Sequence, residues 1–418
     1  MASFSVPLSG LDASSQQLTL IANNLANVNT TGYKSSSADF STLFYESLGS
    51  SGDGNPIQVG TGTQLGSVSM NLNDGAINTT GIASNAAIQG DGMFVINKAG
   101  QQLYTRAGDF TVTGAGILET ADGAQVMGYP ALNGVVNTNA PVGSLQIGSG
   151  VSSPAQATTS LKVGLNLDSQ TAVGGTFSDP VQVYDSLGGT HTVTATFTKT
   201  AVNTWGYNMT LPGADTGSPT PTTVASGSVS FDTSGNVVPT TPGPPPVSDI
   251  TVTSAALTDG ASPVSLTWHL YDGSGNSLLT QAAAPSTPLS ALQDGHASGN
   301  LLNFSIANDG SITGSFSNGQ SQVLGQLAMA TFANDQGIQA MGNNAFAATL
   351  ASGPATVGTP GTGSRGQLEG GAVEESNVNL AAEFANLIQA QNGYQANAKA
   401  VSTFNQVMQV TINMQTGA

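Results

Sequence analysis

The chain has no cysteine among its 418 residues. This excludes a disulfide framework, thiolate metal sites and thiol catalysis, and it suits a polypeptide that travels unfolded through a narrow channel. Charge is scarce too. Only 7% of residues are charged, so most exposed positions must carry Ser, Thr, Asn, Gln or Gly. The net charge of −17 argues against nucleic acid or an anionic membrane surface as partner. No run of eighteen apolar residues exists, so no segment reads as a membrane span. The opening Met1-Ala-Ser-Phe-Ser-Val-Pro lacks the basic segment and apolar core of a cleaved signal peptide.

Patterns that would carry catalysis or cofactor binding are also missing, and the chain reads as a non-enzyme without a cofactor. His191, His269 and His296 share no ligand spacing, and the first two fall in strand-like runs, which favours structural roles over a metal. Gly361-Thr-Gly-Ser-Arg-Gly366 matches a dinucleotide fingerprint only formally, since it follows no strong strand and opens no nearby helix. Asp272, Ser274 and Asn276 imitate the start of a calcium loop, but its twelfth position is Ala283 rather than a glutamate. A hairpin turn explains them better.

What is present is a pair of seams at the two ends. Leu380, Leu387, Tyr394, Val401 and Met408 recur every seven residues, with Phe384, Ala398 and Ile412 at the interleaved spacing, which predicts one long helix from Ser376 to Gln415. At 1.5 Å per residue it spans roughly 55 Å, too long for an ordinary core helix. Its off-seam positions are mostly Gln, Asn, Ala, Thr and Ser, and the charges Glu383 and Lys399 are exceptions. An isolated coiled coil uses charges beside its seam to set register, so this helix is expected to be surrounded by other helices. Its amides either bond across several neighbours or form a solvated face. Near the N-terminus Leu11, Leu18 and Leu25 repeat the same spacing, with Leu8, Ile21, Ala22 and Val28 beside them, over residues 3–30. Pairing the two ends with each other and with the ends of neighbouring copies satisfies both stripes.

Between the ends the chain is predominantly β. Residues 35–75 read as a loosely structured connector with an apolar patch at Phe40, Leu43, Phe44 and Tyr45. Residues 76–149 read as short strands punctuated by glycine. Residues 150–302 alternate as strands do at Val181–Tyr184, His191–Phe197, Val229–Phe231 and Leu266–Tyr271, with turns at Asp185, Asp232 and Asp272. They predict an inserted antiparallel barrel or sandwich, with Pro219, Pro221 and Pro242 to Pro246 in exposed loops. Residues 303–370 return to the earlier β pattern. The expected fold is α plus mostly β. Its terminal helices, 1–34 and 371–418, form a coiled-coil-like core; 35–75 is a connector; 76–149 with 303–370 is a middle domain; 150–302 is an outer domain.

Three strings carry a resemblance. Leu8-Ser-Gly-Leu-Asp-Ala with Ile21-Ala-Asn-Asn-Leu-Ala-Asn-Val-Asn-Thr-Thr-Gly-Tyr-Lys34 resembles the N-terminal signature of the bacterial flagellar rod and hook axial proteins. Gly90-Asp-Gly-Met-Phe-Val-Ile96 with Leu103-Tyr-Thr-Arg-Ala-Gly-Asp-Phe110 is similar to a second signature. It departs only at Met93, where an aromatic is common. Gln367-Leu-Glu-Gly-Gly-Ala-Val-Glu-Glu-Ser-Asn-Val-Asn-Leu380 resembles the third. The large insert resembles hook rather than shorter rod members of the family. The resemblance implies a self-assembling, non-enzymatic subunit of a hollow, bendable tube that passes torque from rod to filament and encloses the export channel. It implies Leu8, Leu11, Leu18, Ile21, Leu25, Val28, Leu380, Phe384, Leu387, Tyr394, Val401, Met408 and Ile412 as subunit-interface positions. The implied partners are further copies in a homopolymer, a distal rod protein, hook cap and hook–filament junction proteins, and the flagellar export apparatus. The implied location is the extracellular flagellum, reached without a cleaved signal. A distal rod-type protein and a secreted β-rich adhesin are the alternatives; the adhesin leaves the matched end helices unexplained.

Overall fold

Helix α1 covers Ser5–Ala26 in a computed structural model that describes residues 4–51, 53–148, 150–239 and 249–416. Pro7 sits in its first turn, where a missing N–H costs nothing. The helix stops when the Asn27 N–H bonds back to the Asn23 and Asn24 carbonyls. Two turns later Gly32 takes φ +65°, and a Cβ there would lie 2.7 Å from the backbone of Arg106 and Ala107. Only glycine fits that left-handed, crowded position.

Residues 36–70 differ from the expected loose connector. They form a ribbon in which Ser36–Thr42 pairs antiparallel with Thr63–Met70, and Tyr45–Ser50 pairs with Pro56–Gly60. The serine-rich composition hid strands whose partners are each other rather than a core. Ser9 Oγ of α1 accepts the Thr63 N–H at 3.2 Å, which ties the ribbon to the helix.

Two compact units follow. One takes in the chain up to Val151, Asn303–Ser315 and everything from Ser321 onward; the other is Ser152–Leu302 with Phe316–Gln320. In the first, the strand Met93–Lys98 is central. It pairs with Gln101–Thr105 through the Ala99-Gly100 turn, with Gln125–Leu132, and with Met329–Thr331. Phe94, Phe110, Leu118, Leu145 and Ile147 are buried around it, and Phe94 meets Phe110 edge-on at 4.9 Å. The returning chain is woven into the early one: Gln367–Gly370 pairs with Ala86–Gln89, and Ala372–Glu374 with Ile77–Thr79.

The second unit is a sandwich of two sheets around one core containing Trp205, Trp268, Phe197 and Leu165. Its first sheet is the antiparallel meander Thr176–Tyr184, Thr190–Ala201, Thr204–Leu211 and Thr222–Ser230, with the short helix α2, Gly213–Thr216, between the last two strands. The second departs from the all-antiparallel expectation. Its strand Ser160–Asp168 runs parallel to both Ser265–His269 and Leu279–Ala282, and antiparallel to Thr287–Gln293. Parallel pairs need long crossovers, and here the meander itself is the crossover, so local alternation could not reveal them. The Pro242 to Pro246 stretch lies outside the described residues.

Helix α3, Leu380–Thr416, begins where Asn379 Oδ1 accepts the Ala382 N–H at 3.1 Å, an asparagine cap. None of the described helices is long and apolar enough to cross a membrane.

Candidate assembly surface

The two chain ends meet first at a buried ionic knot. Lys34 follows α1, Arg106 ends a β-strand run and Glu374 precedes α3, and none is more than 5% exposed. Glu374 Oε1 accepts from Lys34 Nζ at 2.7 Å and from the Gly75 N–H at 2.8 Å, while Oε2 accepts from Arg106 Nε at 2.7 Å. Arg106 also donates to the Gly90 and Gly92 carbonyls and to Asp74 Oδ1, and Lys34 to the Asn73 carbonyl. A buried ion pair is tolerable only when its remaining donors are satisfied in this way. Burial first, and then the neighbouring Arg106, hold the Lys34 amine below its ordinary pKa, with Glu374 offsetting part of the effect.

Asn24 and Asn377 complete the junction. Asn24 copies a strand partner, accepting the Ser36 N–H at 3.0 Å and donating to the Ser36 carbonyl at 2.8 Å, and it also donates to Glu383 Oε1 at 3.1 Å. Tyr33 donates to Asn24 Oδ1. Burial, then the Glu383 carboxylate, raise the Tyr33 phenol pKa and keep it a donor. Asn377 accepts the Ser35 N–H and donates to the Asn71 and Asn73 carbonyls.

Above the knot α1 and α3 run antiparallel. Asn24 faces Glu383, Ser14 faces Gly393, and Gly10 faces Asn397. A Cβ on Gly10 would lie 2.8 Å from the Asn397 amide, so its lack of a side chain sets the close approach. Continuing this register puts Ser5 opposite Ser402. The rest of α3, about fourteen residues or 20 Å, has no α1 beside it.

The expected interface residues divide accordingly. Ile21 is buried, and Leu11, Leu18, Leu25, Val28, Leu387 and Val401 are half-buried where the helices pair. Leu8, Leu380, Phe384, Tyr394, Met408 and Ile412 stay exposed. The seven-residue repeat leaves out Ile388, Phe404, Val407, Val410 and Met414, all exposed apolar residues of α3. A single-seam template ignores such positions; the signal available was the near absence of charge along the segment. The ribbon adds Phe44, 89% exposed, with Tyr45, Leu48, Ile57 and Val59. Lone exposed apolar residues need no explanation, but contiguous rows mark interaction surfaces.

Elsewhere the sequence-flagged polar residues are occupied locally. Asp272 Oδ1 accepts the Ser274 and Asn276 N–H groups of a hairpin turn. His269 Nδ1 lies 2.8 Å from Asp249, and His296 Nδ1 lies near the Ala297 carbonyl. His191 differs, standing among Asp185, Asp215 and Asp259.

Comparison with known proteins fits this arrangement. The flagella basal body rod protein family matches residues 5–34, and the flagellar hook protein FlgE/F/G D1 domain matches 87–165. The flagellar basal body protein FlaE D2 domain matches 146–296, and the flagellar basal body rod FlgEFG protein C-terminal family matches 369–414. The flagellar hook protein FlgE of Salmonella typhimurium is 32% identical over 99% of this chain and 100% of its own length. That of Treponema pallidum is 32% identical over 97% and 98%. The crystal structure of Helicobacter pylori flagellar hook protein FlgE2 aligns at 15% identity with a TM-score of 0.48, covering 71% of this chain and 99% of that one. With relatives matched from end to end, and with the α1 and α3 segments, the β-rich region and the insert each answering to a flagellar domain, the chain belongs to the flagellar hook protein FlgE family.

Proposed function

We propose that this hook-family subunit polymerises into a hollow, bendable tube that acts as a universal joint and encloses the export channel. In that reading α1 and α3 line the inner wall, and the interface positions are Leu8, Leu380, Phe384, Tyr394, Met408 and Ile412, joined by the half-covered Leu11, Leu18, Leu25, Val28, Leu387 and Val401. The partners are further copies, a distal rod protein, the hook cap and hook–filament junction proteins, and the export apparatus that delivers the chain. The layering proposed is a helical core of 1–34 and 371–418, a connector of 35–75, a middle domain of 76–149 with 303–370, and an outer domain of 150–302.

The observation that carries the reading is the bare end of α3. Phe404, Val407, Met408, Val410 and Met414 lie beyond the cover of α1, with no compensating charge on that stretch. Burying each such side chain contributes about 1.5–3 kcal/mol, and further copies of the same ends supply a matching surface. Weakly charged outer faces suit bending, because their contacts slide without breaking strong ion pairs.

Electron microscopy of the purified full chain under polymerising conditions is the test. Curved hollow tubes are expected, with none from a variant trimmed to residues 35–370. Straight rods from the full chain would favour the distal rod reading, and tubes from the trimmed variant would overturn the role given to the helices.

A further inference from the structure

His191 opens the strand Thr190–Ala201 and is boxed by carboxylates from three separate elements. Its Nε2 lies 2.8 Å from Asp185 Oδ2, in the turn after Thr176–Tyr184, and 3.6 Å from Asp259 Oδ2, in the turn at 257–260. Its Nδ1 lies 2.9 Å from Asp215 Oδ2 in the short helix α2, Gly213–Thr216. Asp185 is held still, because its Oδ1 accepts the Leu187 and Gly189 N–H groups at 2.7 and 2.9 Å. The Asp185 side chain is fully buried and that of His191 is 8% exposed. These three carboxylates are the titratable groups facing the imidazole, and no Lys or Arg among the described residues pairs with them.

A neutral imidazole carries one N–H, whereas carboxylates only accept. With a carboxylate oxygen within 2.9 Å of each ring nitrogen, only the doubly protonated ring satisfies both contacts; losing one proton sets a lone pair against a carboxylate.

We propose that His191, Asp185, Asp215 and Asp259 form a proton-operated clasp that holds α2 and the 257–260 turn onto the strand hairpin of the inserted unit and releases them when the imidazole deprotonates. The two released elements are already coupled, since the Thr258 N–H donates to the Asp215 carbonyl at 2.9 Å and its Oγ1 to the Ala214 carbonyl at 3.1 Å. They therefore move as one flap.

The direction follows from linkage. Burial works against the imidazolium, but the Asp215 and Asp185 carboxylates outweigh it and raise the His191 pKa above 6.5. A raised folded-state pKa gives stabilisation that is complete below the unfolded value and is lost as pH rises through the folded one. The inserted unit is thus firmest in mild acid and loosens on the alkaline side.

The chain reports on this directly, because its two tryptophans, Trp205 and Trp268, are both buried in that unit. Histidine resonances of the full chain, with His191 identified by its loss in His191→Gln, are expected to show His191 titrating above ordinary histidine. The tryptophan-detected melting temperature falls across the same pH range, and that fall flattens in His191→Gln. Asp215→Asn, at a partly exposed position, brings the midpoint down toward the ordinary value and keeps the test alive if His191→Gln does not fold. An unchanged pH slope in both variants, or His191 titrating at or below the ordinary value, overturns the clasp. So does zinc, added at alkaline pH, restoring the melting temperature through these residues, since the cluster would then be a cation site.

Discussion

Glu374 is the side chain on which the two ends of the polypeptide depend. It bonds to Lys34, 340 positions earlier, and to Arg106, 268 positions earlier, with no exposure of its own. Replacing it by Gln leaves two buried cations with only the partly exposed Asp74 carboxylate, and breaking a buried pair costs about 3–5 kcal/mol. Glu374→Gln is therefore expected to lower unfolding stability by that amount in urea titrations followed by circular dichroism. A loss below about 1 kcal/mol would mean that the knot is not what joins the ends. Lys34 and Arg106 stand inside strings that mark the family, yet nothing in those strings says that they meet, because ion pairing over such separations is decided by the sheet that brings Ala372–Glu374 beside Ile77–Thr79.

At the scale of elements, α3 has two parts with different obligations. Up to about Ser402 it packs on α1, and there Leu387, Ala390 and Val401 lose exposure. Beyond that point its apolar residues face outward on several sides. Met408→Asp is predicted to leave the melting of the dilute subunit unchanged to within about 0.5 kcal/mol, as substitutions at exposed sites do. The same change is expected to raise the critical concentration for polymerisation at least tenfold, measured by sedimentation, because a carboxylate would be carried into an apolar contact. Equal loss of both would show that the α3 end already packs within the subunit. The seven-residue repeat made α1 and α3 legible because periodicity is a local property. It showed less of the surface of α3, since Val407 and Val410 lie off the repeat and are exposed.

For the whole molecule, the inserted unit has its own core, and the two ends of its main segment lie side by side, Ser152 pairing with Asn300 and Ser153 with Gly299. A unit of that kind is expected to fold alone. Residues 152–302 expressed by themselves should show buried tryptophan emission and one cooperative transition. Their stability should be slightly reduced by loss of Asn318, which donates to Ser153 Oγ and the Ala297 carbonyl. Solvent-exposed tryptophan in that fragment would show that the core is not self-sufficient.

Sequence alone determined the features that are written locally. These are the helix at each end, the aspartate-led turns of the insert, and the scarcity of charge along α3. Only the tertiary structure decided the 36–70 ribbon, the parallel strands flanking Ser160–Asp168, the knot around Glu374 and the clasp around His191. Each of those joins segments whose separation along the chain carries no periodic signal. A buried charge or an unpaired strand edge becomes favourable only once a distant partner has been folded into place to meet it.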